Sequence, residues 1–153
     1  MNNTKLTKLE KCWILYDVGN SAFIMLVSTI IPIYFNFLAG NAGISEVDYL
    51  AYWGYAASVM VAIIGPILGT LADTRNFKKP LFTISMMVGV LGCAALSFPK
   101  SWVLFLAVFV IAKVGYNASL IFYDSMLVDI TTEEKMDSVS SHGYAWGYIG
   151  SCI

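Results

Sequence analysis

Long apolar runs separated by short polar stretches make up most of the chain. Each complete run is close to or above the roughly 20 apolar residues that a membrane-spanning helix needs. The complete runs cover about Trp13–Leu38, Tyr52–Ala72, Leu81–Phe98 and Trp102–Val128, and a further run extends from Gly143 to Ile153. Because the connecting stretches are short, neighbouring spans should be antiparallel. The pattern therefore predicts an all-α integral membrane protein with four complete transmembrane helices and the start of a fifth, which we expect to be truncated.

Basic residues predict which side of the membrane each connection faces, because Lys and Arg are enriched in cytoplasmic loops. They are concentrated in the N-terminal arm and after the second span, at Lys5, Lys8, Lys11, Arg75, Lys78 and Lys79. We therefore expect residues 1–12 to form a cytoplasmic N-terminal arm and residues 13–153 a partial transmembrane bundle. The connections that contain Glu46 and Lys100 carry little positive charge and should face outward.

Composition agrees with a membrane protein and excludes several other classes. The chain is 58% hydrophobic and 12% charged, whereas soluble domains carry about a quarter charged residues. A net charge of -1 predicts no binding of nucleic acid. Its three cysteines, Cys12, Cys93 and Cys152, are odd in number and far apart, which favours neither a disulfide framework nor a metal site. We expect no cofactor, and we expect the cell membrane as its location.

Three ionisable side chains fall inside the predicted spans, namely Asp17, Lys113 and Asp124. A charge at the centre of the bilayer costs roughly 2.5–3.5 kcal/mol on insertion scales, so each needs a partner or water. Lys113 lies nearest the middle of its span. It should therefore have a partner on another helix, a bound anion or a water-filled cavity around it.

The spacing of polar residues places them on common helix faces. Asn117 and Asp124 follow Lys113 by four and then seven residues, which puts all three on one side of a helix. On the first span, Asn20 shares a side with Asp17. We interpret these five residues as candidate substrate or proton contacts. The alternative is that they make structural hydrogen bonds between buried helices.

The polar connection at residues 69–79 resembles a signature of the major facilitator superfamily. That signature runs Gly-x-Leu-Ala-Asp-Arg-x-Gly-Arg-Lys between the second and third helices, and the matching positions are Gly69, Leu71, Ala72, Asp73, Lys78 and Lys79. Thr74 and Asn76 replace the usual Arg and Gly, and Arg75 stands one place later than the expected base. The resemblance implies a conformational loop formed by Gly69, Asp73, Arg75, Lys78 and Lys79, in which Asp73 braces a helix of the other half.

The sequence at and just before this loop predicts two further contacts. Gly65 and Gly69 form a small-x-x-x-small pair, which predicts close contact with another helix. Lys78 and Lys79 should face anionic lipid headgroups.

Three further segments resemble the vacuole-effluxer-like branch of the same superfamily, related to autophagy-associated amino-acid permeases. They are Trp13–Phe23, Phe122–Ile130 and Val139–Gly150. The branch more often has Asn where this chain has Asp124, so that residue is either a local variation or a proton or ion site. The resemblance implies part of the N-terminal six-helix half of a secondary transporter for amino acids or other small solutes, with the C-terminal half missing and with proton coupling as an option. We expect no transport by this polypeptide alone.

Two other classes of protein are alternatives to a transporter. A compact four-helix membrane protein that oligomerises, as a small channel or an assembly factor, would show the same spans. An enzyme would need clustered acids, a His/Cys set or an activated nucleophile. His142, the single histidine, lies in a polar stretch, so the sequence does not predict an enzyme.

Overall fold

The computed structural model describes residues 6–72, 74 and 77–152. Within these residues the chain is helical, as predicted. The helices are α1 (Lys8–Ser28), α2 (Ile30–Asn41), α3 (Glu46–Ala72), α4 (Lys78–Ala95), α5 (Trp102–Ile130) and α6 (Glu133–Ser151). In the part of the chain so described, 3 helical stretches are long and apolar enough to cross a membrane: Lys8–Asn41, Ala51–Ala72 and Trp102–Ile130. The protein is a multi-pass membrane protein.

The other two predicted spans form helices but are not among these stretches. The helix at the third predicted span, α4, has 18 residues and starts with Lys78 and Lys79, which lower its mean hydropathy. The run from Gly143 belongs to α6, which starts at Glu133 with an acidic first turn.

The first predicted span is interrupted at Thr29, between α1 and α2. The backbone of Thr29 has φ -120° and ψ -67°, and its hydroxyl donates a hydrogen bond of 2.6 Å to the carbonyl oxygen of Met25. Pro32 explains the break, because proline has no N–H to bond to the carbonyl of Ser28 and its ring clashes with that carbonyl. The interruption could have been predicted from Pro32.

The chain divides into two compact units, each described here by itself. Unit 1 comprises Met1–Ile30 and Met126–Ile153, and unit 2 comprises Ile31–Ser125. In unit 1, α1 packs against α6, with Ile14 of α1 and Val139 of α6 both buried. Glycines on α6 permit the close approach, since Gly143 lies against the ring of Trp13 and Gly150 lies against Val18.

In unit 2, α4 and α5 approach each other through glycine. A side chain at Gly115 would have its Cβ 2.7 Å from the backbone nitrogen of Gly89, and one at Gly92 would have its Cβ 2.8 Å from the Cβ of Ala112. Such backbone contact is typical of membrane helices with small residues at their interface. The close contact predicted at Gly65 and Gly69 is not made, because a Cβ at either position would meet no atom of the described residues within 4 Å.

An aromatic cluster joins α2, α3 and α5 in unit 2. The rings of Trp53 and Phe109 stack with centroids 3.9 Å apart, and Phe35 lies 5.5 Å from Trp53. Phe35 and Phe109 are 1% and 2% exposed, so the cluster is a core feature. Trp102 joins it through Phe35, at 6.4 Å. Trp53 and Trp102 therefore help to hold the helices of unit 2 together.

Candidate functional site

The start of α1 is fixed by hydrogen bonds ahead of the apolar run. Thr7 and Glu10 form a capping box: the Glu10 carboxylate accepts from the Thr7 N–H at 2.7 Å, and the Thr7 hydroxyl accepts from the Glu10 N–H at 3.2 Å. The other carboxylate oxygen of Glu10 accepts from the Thr131 hydroxyl at 2.9 Å. Glu10 is only 2% exposed. The helix that carries Asp17 is therefore anchored to the segment between α5 and α6.

Asp17 and Asn20 lie together on α1. The side chain of Asn20, which is 9% exposed, makes a hydrogen bond with the carboxylate of half-buried Asp17. The hydroxyl of Ser21 donates to the main-chain carbonyl of Asp17 at 3.0 Å. On the α6 side, the Oδ2 atom of Asp17 lies where the Cβ of a residue at position 147 would need space. The predicted polar face of the first span is thus a connected group in contact with α6.

Lys113 lies on α5 and is half-buried. Its ammonium lies 5.2 Å from the centroid of the Tyr116 ring, one helical turn further along. A cation over an aromatic face gains about 0.5–2 kcal/mol, which offsets part of the cost of bringing a charge into the membrane. Among the described residues of its unit, we find the Tyr116 ring, and no carboxylate, in contact with the ammonium. Within the described residues the partner of Lys113 is thus an aromatic ring on its own helix, and the bound anion and the water-filled cavity stay predictions.

Asn117 makes an intrahelical hydrogen bond. Its amide Nδ2 donates to the carbonyl oxygen of Lys113 at 2.7 Å. The side chain also lines a narrow groove between α3 and α5, together with apolar residues that include Ile64, Leu68 and Ile121. Asn117 is the polar side chain among the residues that line this groove. The amide nitrogen is therefore engaged within α5.

Asp124 is exposed on α5. Ser125, the next residue, accepts a hydrogen bond of 3.1 Å at its carbonyl oxygen from the ammonium of Lys78 at the start of α4. Lys78 is half-buried by this contact, whereas Lys79 is exposed. Lys78 is therefore directed to α5, and the contact of Lys79 with lipid headgroups stays a prediction.

For the remaining residues of the proposed conformational loop the structure shows few contacts. Asp73 and Arg75 lie outside the described residues, as does Asn76. Gly69 lies near the end of α3, and a Cβ added there would meet no atom of the described residues within 4 Å. In the same part of the chain, no group of three or more His, Cys, Asp or Glu side chains could hold a metal ion.

The candidate residues thus fall into separate groups. Asp17 and Asn20 are joined within unit 1, and Lys113 and Asn117 are joined within unit 2. Asp124 lies farther along α5, next to the residue that binds Lys78. Sequence reasoning missed Tyr116 as a partner for Lys113, although their spacing of one turn could have indicated it. It also missed Gly147, whose contact depends on the pairing of α1 with α6.

Comparison with known proteins gives a consistent result. Residues 5–153 match the family model described as Major Facilitator Superfamily. A protein of Bacillus subtilis (strain 168) named "Uncharacterized MFS-type transporter YxiO" is 39% identical over 155 residues, covering 97% of this chain and 36% of that protein. The chain thus spans about a third of the length of this relative. No solved structure matches the chain significantly.

Proposed function

Because the chain belongs to the major facilitator superfamily, we propose that it forms the first part of a secondary active transporter for small polar solutes. Such transporters have a binding site near the bilayer midplane. They open it to one side of the membrane and then to the other by moving one bundle of helices against another. The relative extends well beyond the matched stretch, and in our proposal a second bundle of helices completes the transporter. The family match favours this role over a small oligomeric channel or assembly factor, and over an enzyme.

The observation that carries the proposal is the environment of Lys113. A lysine near the middle of a long apolar helix is costly, and such residues by default indicate a substrate or ion pathway. The Tyr116 ring stabilises the ammonium without neutralising its charge. The cation therefore remains able to attract an anionic group, such as a carboxylate of the solute. In this proposal Lys113 is the solute contact on α5.

Asp17 is proposed as the proton site on α1. A carboxylate inside a membrane span is costly when charged, so uptake and release of a proton during transport is chemically reasonable. Asn20 holds the carboxylate by a hydrogen bond, and α6 lies behind it. Asn117 and Asp124 are proposed as weaker contacts, since Asn117 is engaged locally and Asp124 is exposed.

Amino acids or related small metabolites are the proposed substrates. This part rests on the segments Trp13–Phe23, Phe122–Ile130 and Val139–Gly150, which resemble the vacuole-effluxer-like branch. An amino acid carries a carboxylate that suits the cation of Lys113. We also propose that the N-terminus is cytoplasmic and that the protein is in the cell membrane, on the distribution of Lys and Arg.

The loop between α3 and α4 is proposed to control conformation. Lys78 fixes the start of α4 to α5 through Ser125. By the family resemblance, Asp73 would brace a helix of the second bundle, with Gly69, Arg75 and Lys79 supporting the loop. Breaking the Lys78 contact should then shift the balance between conformations rather than remove the binding of solute.

Transport in proteoliposomes tests the proposal. The full-length protein should take up one or more members of a panel of labelled amino acids when a proton gradient is imposed, and vesicles that contain residues 1–153 alone should not. Lys113→Ala should abolish uptake while the protein still inserts, and Lys100→Ala, which removes an exposed lysine, should leave uptake intact. Unchanged uptake in Lys113→Ala would contradict the role of this lysine. Absence of uptake for the whole panel would contradict the substrate class.

A further inference from the structure

Three glycines of α6 face α1 at successive turns, and they meet different groups. A Cβ at Gly143 would lie 2.7 Å from Cζ3 of the Trp13 ring. A Cβ at Gly150 would lie 2.6 Å from Cγ1 of Val18 and 3.0 Å from its carbonyl oxygen. Both contacts are apolar or involve the backbone, so these two glycines serve the packing of the helices.

The contact at Gly147 is of another kind. A Cβ there would lie 2.9 Å from Oδ2 of Asp17 and 3.1 Å from the hydroxyl oxygen of Ser21. The Asp17 carboxylate therefore lies directly against the backbone of α6. On α1 the same carboxylate bonds with the side chain of Asn20. Of the three glycines, Gly147 is thus the one that touches an ionisable group.

The helix α6 places none of its charged side chains near the contact between Gly147 and Asp17. Its charged residues are confined to the first turns and are Glu133, Glu134, Lys135 and Asp137. The last of them precedes Gly147 by ten residues, or about 15 Å along the axis. His142, Tyr144 and Tyr148 are exposed, and His142 has its Nδ1 atom 2.6 Å from the carbonyl oxygen of Ser138. Within unit 1, backbone and not charge meets Asp17 from α6.

We propose that Gly147 is a positioning residue for Asp17: the missing side chain gives the carboxylate a fixed place between Asn20 and the backbone of α6. Its consequence for transport rests on the proposed function, in which Asp17 takes up the proton. The position of the carboxylate itself does not depend on that function. A methyl group at position 147 would turn the carboxylate away from α6, because the end of a side chain moves more easily than a helix backbone.

The experiment compares Gly147→Ala with Gly143→Ala and Gly150→Ala in the full-length protein. All three variants add one methyl group to the same helix interface, and only in the first does the methyl meet the carboxylate, so the other two control for separation of the helices. Asp17 is labelled with a membrane-permeant carbodiimide and quantified by mass spectrometry, a measurement that needs no transport. The labelling rate should rise several-fold more in Gly147→Ala than in either of the other two. Equal rates in all three variants would overturn the proposal.

Uptake against pH is then measured on the same variants. A displaced proton site should shift the pH profile in Gly147→Ala, whereas a packing defect should only lower the amount of active protein. A changed labelling rate with an unchanged profile would leave the positioning intact and contradict the proton role of Asp17.

A second variant covers the case in which Gly147→Ala fails to insert. Asp17→Ala combined with Gly147→Ala removes the group with which the methyl collides. Insertion should return in the double variant, because the space is vacated. A double variant that remains uninserted would contradict the proposed contact.

Discussion

The ammonium of Lys78 donates a hydrogen bond of 3.1 Å to the carbonyl oxygen of Ser125. The contact joins α4 to α5 through two residues that are 47 positions apart in the chain. Ser125 follows Asp124 directly, so the bond holds the start of α4 against the turn of α5 that carries Asp124. One lysine of the polar connection is thereby part of the helix bundle, whereas its neighbour Lys79 is exposed.

Lys78→Met should destabilise the protein more than Lys79→Met does. A hydrogen bond from a charged donor is worth roughly 1.5–3 kcal/mol, so about 1 kcal/mol is expected for this half-buried one. Exposed substitutions such as Lys79→Met usually change stability by less than about 0.5 kcal/mol. Thermal unfolding of the full-length protein in detergent measures both. Equal melting temperatures for the two variants would show that the Lys78 bond contributes nothing.

Gly115→Ala should be destabilising, and Gly65→Ala should not. The new Cβ at position 115 would lie 2.7 Å from a backbone nitrogen of Gly89, so α4 and α5 would have to separate. Overpacking of this kind typically costs about 1–3 kcal/mol. At position 65 the new Cβ would meet no described atom within 4 Å, and alanine in a helix is favoured over glycine by roughly 0.5–1 kcal/mol. The same thermal assay decides, and a loss of stability in Gly65→Ala would reveal a contact of Gly65 beyond the described residues.

These glycines show what the sequence could and could not predict. Hydropathy predicted the helical runs, since a span must satisfy its backbone hydrogen bonds internally and expose apolar side chains. The spacing of Gly65 and Gly69 predicted close contact with another helix, yet among the described residues of unit 2 a close approach occurs between Gly115 and Gly89 instead. A pattern of small residues says that a helix is able to approach another, and it does not say which helix or at which turn.

In the candidate site, too, the sequence predicted the positions of residues but not their contacts. The placement of Lys113, Asn117 and Asp124 along one helix followed from their spacing, and α5 is indeed continuous from Trp102 to Ile130. Which side chain bonds with which depends on rotamers and on neighbouring helices. The amide of Asn117 bonds to its own helix, and the ammonium of Lys113 turns to an aromatic ring. The period of the helix brings Tyr116 and Asn117 within one turn of Lys113, but it does not determine which contacts form.

Thr131→Ala should loosen the anchor at the start of α1, and Thr132→Ala serves as its control. The Thr131 hydroxyl bonds to the buried carboxylate of Glu10 at 2.9 Å, whereas Thr132 is exposed and its side chain makes no capping bond to α6. Loss of a hydrogen bond to a charged group should cost about 1–2 kcal/mol here. Hydrogen exchange of the backbone amides near Glu10 should speed up in Thr131→Ala. Equal exchange in the two variants would contradict the anchoring role.

Replacement of Tyr116 tests whether its aromatic ring holds the ammonium of Lys113 in place. Tyr116→Phe keeps an aromatic face under Lys113, so uptake should stay near that of the unmodified protein, whereas Tyr116→Leu removes the face. The cation–π contact is worth about 0.5–2 kcal/mol, and its loss should let the ammonium move and react faster with an amine-directed reagent. In proteoliposomes Tyr116→Leu should reduce uptake, and peptide mapping should show faster modification of Lys113. If Tyr116→Phe and Tyr116→Leu modify Lys113 at the same rate, the ring does not hold the ammonium. The 5.2 Å contact would then be without consequence for the solute site proposed on α5.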